Sequence, residues 1–133
     1  MRNVICLMIL GLGSMSIFSQ VNPATTKTDS FCRIDSLVFA TGIVSRDPVG
    51  VSNQFEASVG KVCCWTRVST QKTPVTIKHV WYKEGRKVLE IPLTLEYFSG
   101  RLWSNKNITA GEWKVEVLDG AGEIIGSGKF TVK

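Results

Sequence analysis

His79 is the sole histidine of the chain, so any imidazole base or imidazole metal ligand has to be built on it. It lies in the apolar, β-branched run Val75 to Tyr82, on the strand face shared with Ile77 and Trp81. Catalysis would need a nucleophile within reach and a partner to orient the ring. A structural zinc site would need three further ligands, and the cysteines are badly spaced to supply them. The expectation is a strand histidine hydrogen-bonded beside a tryptophan, with a polar functional site as the alternative. No metal and no cofactor are expected.

A second group is compact in sequence. Arg101, Trp103, Ser104 and Lys106 bring two cations, a hydroxyl and an indole within six residues. Such a set can grip a carboxylate or phosphate through charge-assisted hydrogen bonds. Of the four tryptophans, Trp81 and Trp113 read as core. Trp65 lies between Lys61 and Arg67 on its strand face and is the one expected to be exposed. Trp65, Arg101, Ser104 and Lys106 are therefore the candidate contact residues. The carboxylates Glu84, Glu90, Glu96, Glu112 and Glu116 are dispersed over strands and turns, and no catalytic pair stands out among them.

Cys32, Cys63 and Cys64 remain once the N-terminal segment is set aside. In an oxidising compartment a disulfide is expected. Cys63 and Cys64 point to opposite faces of their strand, so one of them suits Cys32. Cys64 shares its face with Val62 and Val68 and is the favoured partner; Cys63, beside Lys61 and Arg67, reads as partly exposed. No C-x-x-C redox motif is present.

The first residues imply export. Arg2 is followed by an apolar stretch from Val4 to Phe18, and small Ser19 gives a cleavage point before Gln20. The alternative, an uncleaved anchor, wants about 20 apolar residues to cross a bilayer. Residues 1–19 are thus expected to be a signal peptide, 20–30 a polar linker, and 31–133 one domain. After cleavage no stable membrane span is expected, and the protein would be periplasmic or extracellular. The formal charge of +5 falls to +4 with the loss of Arg2. That mild excess favours anionic surfaces. The basic residues are scattered, which excludes a nucleic-acid protein.

The elements that must position these residues are strands. Ser36 to Val44 reads as a buried strand, stopped by a turn at residues 46–50. Lys61 to Val68 alternates, with Val62, Cys64, Thr66 and Val68 on one face. Val75 to Tyr82 and Lys87 to Leu95 pair across a turn at Lys83-Glu84-Gly85-Arg86, with Gly85 free to take positive φ. Pro92 marks an edge or a bulge. Trp113 to Val117 and Glu123 to Val132 form a hairpin turning at residues 119–122, with a bulge at Gly126 or Gly128. Phe55 and Val59 are expected to enter the core from a loop or short edge strand. The sum is about seven strands. An all-β, small immunoglobulin-like β-sandwich is the expected fold, and a small closed barrel the alternative.

Several stretches resemble the bacterial domain-of-unknown-function family numbered 2914. They are Thr41-Gly42-Ile43 with Asp47-Pro48-Val49; Cys64-Trp65-Thr66-Arg67-Val68; and His79-Val80-Trp81-Tyr82 followed by Gly85. They continue with Arg101-Leu102-Trp103-Ser104 and Lys106, then Gly111-Glu112-Trp113-Lys114-Val115 closing on Asp119, Gly122 and Phe130. The resemblance covers most of residues 36–133 and implies an extracytoplasmic or membrane-attached β domain. It brings no activity.

The expected role is an exported, non-catalytic binding or interaction module of the bacterial envelope. Its partner would be an envelope protein or an anionic envelope component. The alternatives are an enzyme acting on an envelope polymer and a structural subunit of an envelope assembly.

Overall fold

The computed structural model of the chain describes residues 31–133; the expected signal peptide and linker lie outside the described residues. Period-2 alternation of apolar and polar residues dictates strands, because successive side chains leave opposite faces of the backbone. Seven long strands result: β1 (Cys32–Ala40), β5 (Lys61–Thr70), β6 (Val75–Lys83), β7 (Arg86–Leu95), β8 (Ser99–Asn107), β9 (Gly111–Leu118) and β10 (Ile124–Val132). Three short ones join them: β2 (Gly42–Val44), β3 (Asp47–Val49) and β4 (Gln54–Phe55).

The long strands make two sheets. One has the order β1-β5-β8, and the other the order β4-β10-β9-β6-β7. Their inward faces pack as an all-β sandwich. At one side β1 lies against β10, and at the other β7 lies against β8. Gly128 permits the first approach: a Cβ there would sit 2.8 Å from Leu37 Cδ2 and 3.0 Å from Phe39 Cε2. The second side is more open. β7 and β8 are consecutive in sequence yet end different sheets, and Pro92 sits in the edge strand β7.

Two features of the sequence reading need correction. Ser36 to Val44 is not one strand. β1 ends at Ala40, and β2 and β3 pair as a separate hairpin. Its last rung is Val44 with Asp47, leaving Ser45 and Arg46 as a two-residue turn with φ of 52° and 69°. Such turns favour Asn and Gly, so two residues without that bias gave no signal. Holding a non-glycine residue there costs about 1 kcal/mol or more, and persists where surroundings over-determine it. Val59, expected in the core, is exposed at the end of a 3-10 turn, while Phe55 is buried.

The core has two apolar clusters. The larger gathers Phe39, Phe55, Val62, Cys64, Trp81, Trp113, Val115 and Phe130, among others. Trp113 stacks on Phe130 at 5.8 Å, and Trp81 meets both edge-on. The smaller holds Cys32, Val68, Ile77, Leu95 and Val117. Along β5 and β6 the residues between the clusters on the inward face are Thr66 and His79, both fully buried. A polar layer thus divides the core.

Candidate functional site

Strand parity splits the residues that cluster in sequence. β5 and β8 pair with Trp65 opposite Trp103, Arg67 opposite Arg101, Cys64 opposite Ser104 and Val62 opposite Lys106. Arg101 and Trp103 are therefore outward. Ser104 and Lys106 belong to the inward face with Cys64 and Val62. Ser104 is buried and is no surface contact residue. Lys106, at the end of β8, directs its ammonium to the Asn107 carbonyl at 3.5 Å.

Ser104 instead serves His79. The imidazole Nδ1 lies 2.7 Å from Ser104 Oγ, and Nε2 lies 3.3 Å from Thr66 Oγ1. The Thr66 hydroxyl donates to the Leu102 carbonyl at 2.7 Å. Its proton is thus committed, so Thr66 accepts from His79 Nε2–H. Nδ1 then carries the lone pair and accepts the Ser104 hydroxyl proton. Ser104 Oγ in turn accepts Trp81 Nε1–H at 3.0 Å. One ordered chain runs from the Trp81 indole to the Leu102 carbonyl, and it assigns the neutral Nε2–H tautomer. Burial lowers the pKa of His79 to about 4. A serine hydroxyl on a histidine nitrogen has the composition of a nucleophile–base pair, but both groups are enclosed and every hydrogen-bonding atom of the ring is used. The arrangement holds three strands in register. It leaves no space for a substrate carbonyl.

Outward, the β2–β3 hairpin lies over the three-stranded sheet. Trp65, expected to be exposed, is buried at 4 % exposure beneath it. Its Nε1–H donates to the Arg46 carbonyl at 2.8 Å. The Arg46 guanidinium sits over the Trp103 ring at 5.5 Å, and Arg101 Nη1 reaches Asp47 Oδ1 at 2.7 Å. The strained turn at Ser45 and Arg46 is thereby fixed from three sides. Arg67 lies over the other tryptophan, Trp65, at 5.7 Å. Cation–aromatic contacts of this kind contribute about 0.5–1 kcal/mol at exposed sites.

Beside this strap is a cleft of about 560 Å³ along the β7–β8 side, bordered by Arg46, Leu95, Tyr97, Ser99, Arg101 and Trp103 among others. Its floor is apolar, from Leu93, Leu95 and Leu102; its rim carries two guanidinium groups and two aromatic rings, with Glu96 the one carboxylate among the lining residues. Tyr97 and Phe98, at the turn between β7 and β8, are 76 % and 64 % exposed. Sequence reasoning found Arg101. It missed Arg46 and Tyr97, which lie about 55 and 4 residues away and join it only through folding. No local pattern marks either of them.

The expected disulfide from Cys32 to Cys63 or Cys64 does not fit. Cys32 pairs with Thr70, while Cys64 pairs with Phe39 and Cys63 with Ala40. Six rungs at about 3.3 Å each separate Cys32 from Cys64, or roughly 20 Å, against a limit near 7 Å between bridged Cα atoms. Cys32 Sγ instead contacts Thr70 Oγ1 at 3.8 Å. Cys63 and Cys64 are buried free thiols. The expectation of a partly exposed Cys63 fails because the hairpin side of the sheet is covered. Burial raises the pKa of both thiols.

Among the described residues, no three His, Cys, Asp or Glu side chains are placed to hold a metal ion. None of the helices among them is long and apolar enough to cross a membrane. No curated protein matches the chain. Residues 74–132, from the start of β6 to the end of β10, match the model of the family described as Protein of unknown function (DUF2914). The matched stretch, less than half of the chain, carries His79, Ser104, Arg101 and the β7–β8 cleft wall, and over it the chain is similar to that family.

Proposed function

We propose that this protein is an exported, non-catalytic binding module of the bacterial envelope, and that its contact surface is the β7–β8 cleft. The observation that carries the reading is the cleft itself: an open, apolar-floored groove rimmed by Arg46, Arg101, Trp103 and Tyr97. Recognition sites combine an apolar floor with a few fixed polar groups in this way. An exposed tyrosine at the mouth supplies rigid contact area at low entropic cost. The one serine–histidine pair supports a structural role, because it is enclosed in the core. Export rests on the Arg2 start, the apolar run and the Ser19 cleavage point.

Co-sedimentation of the protein with an envelope fraction tests the reading. Tyr97→Ala should lower retention several-fold and leave the unfolding midpoint unchanged, since Tyr97 is largely exposed. Undiminished retention, or a chain found with its first 19 residues in the cytosol, would overturn it.

A further inference from the structure

Arg67 and Arg101 are directly opposed across β5 and β8, on the outward face. Directly opposite side chains have Cβ atoms about 5 Å apart, and like charges in that position are destabilising. A sheet keeps such a pair at a cost unless something neutralises it. Asp47 takes part of Arg101. Neither Arg67 nor Arg46 has a carboxylate within ion-pair distance among the described residues, although Arg67 lies near enough to Asp35 to help lower its pKa.

The wider face is also biased. The outward side of this sheet and its hairpin presents Arg33, Arg46, Lys61, Arg67 and Arg101 against Asp35 and Asp47. All of the described arginines but Arg86 are there. Three are also held in place. Arg46 rests on Trp103, Arg67 on Trp65, and Arg101 on Asp47. A guanidinium held in position loses less freedom when it binds. Ser99, two rungs away along β8 and on the same face, lines the cleft with Arg101 and adds a hydroxyl.

Resting on the cleft reading above, we propose that the Arg67–Arg101 pair, with Arg46 and Ser99, is a phosphate site, and that the ligand's remaining body lies in the β7–β8 cleft. Two guanidinium forks on opposed residues match the three terminal oxygens and near-double charge of a phosphate monoester better than the two oxygens of one carboxylate. The apolar floor and Tyr97 accept whatever carries the phosphate. That carrier is either a soluble envelope polymer or a lipid headgroup, and the shared chemistry is the phosphate group.

Amide chemical-shift titration of the full chain decides. Inorganic phosphate and glycerol 1-phosphate should give saturable shifts at residues 46, 67, 99 and 101. Apparent affinity should fall at least tenfold in Arg67→Gln and in Arg101→Gln. It should hold in Lys78→Gln, on the opposite sheet. If a variant loses its fold, the unaltered protein still answers: its affinity should fall steeply with added sodium chloride. Binding to glycerol 1-phosphate without vesicles containing phosphatidic acid, whose headgroup is a phosphate monoester, assigns the soluble carrier, and binding to both assigns the lipid. The proposal is overturned if phosphate shifts merely track ionic strength, or if glucuronate binds equally well. If phosphate fails while Tyr97→Ala still strips the protein from envelope material, the phosphate site alone is wrong and the cleft reading stands.

Discussion

Arg101 and Asp47 are 54 residues apart in sequence and 2.7 Å apart in space. Their contact ties the β2–β3 hairpin to edge strand β8. Both side chains are partly exposed, so the pair contributes about 0.5 kcal/mol. Asp47→Asn should therefore raise amide exchange of residues 42–49 about two- to threefold and leave the core amides of β6 and β9 unchanged. Unaltered exchange in the hairpin would show that the other two contacts suffice.

Ser104→Ala removes the only hydroxyl that serves both His79 Nδ1 and Trp81 Nε1–H. Two buried groups then lack partners, at a cost of about 2–4 kcal/mol. Urea unfolding measures it. A loss under about 1 kcal/mol would mean that water or a neighbour replaces the hydroxyl.

His79 sets a pH window. Its folded pKa of about 4 lies below the ordinary 6.5, so the unfolded chain binds the proton more tightly. Stability is full above pH 6.5 and is lost as pH falls towards 4, by about 3 kcal/mol in all. Asp35 and Glu90 titrate lower than ordinary carboxylates. Asp35 is held down by the Ser69 and Arg33 hydrogen bonds, and Glu90 by hydrogen bonds from Lys87 and Lys78. Their losses begin as pH falls through the ordinary values of 4.5 for Glu90 and 3.8 for Asp35, at the acid end of the histidine window. Urea midpoints between pH 4.5 and 7 should rise with pH. An imidazole that titrates near 6.5 by carbon-13 shifts in the native state would refute the assignment.

The thiols of Cys63 and Cys64 should resist a thiol reagent until the chain unfolds, because both are buried and their pKa values are raised. Non-reducing peptide maps should contain no Cys32–Cys63 or Cys32–Cys64 crosslink. Either crosslink in native protein would contradict the β1–β5 register.

Gly128→Ala should destabilise by about 1–3 kcal/mol through overpacking, since its new methyl would meet Leu37 and Phe39. Near-ultraviolet circular dichroism would report the disturbed Phe39–Phe130 contact, whose rings lie 4.6 Å apart. An unchanged midpoint would mean that β1 shifts without cost.

The last hairpin was legible because alternation from Trp113 to Val117 and a glycine-bearing turn agree. The observed irregularity falls between Ile124 and Gly126, where the glycines placed it. Gly85, Pro92 and the burial of Trp81 and Trp113 were legible for the same local reasons. Trp65 was not. Its strand neighbours are basic, and what covers it is a hairpin about twenty residues earlier whose turn lacks glycine. The Arg101 to Lys106 cluster was half legible. Sequence proximity suggested one surface, whereas parity sends Ser104 to the core and Arg101 to the cleft. The Cys32 pairing failed because the cysteines sit at opposite ends of an antiparallel pair, and spacing alone carries no direction.

The single register of β5 against β8 has a consequence for insertions and deletions. Removing one residue within β5 would turn Thr66 outward and Arg67 inward. It would strip His79 of a partner and bury a guanidinium in the same step. The loop at residues 119–123 is exposed and joins two strands already paired along their length. Lineages of this domain should therefore vary in length there and keep the length of β5 and β8 fixed, because those two strands are constrained on both faces at once.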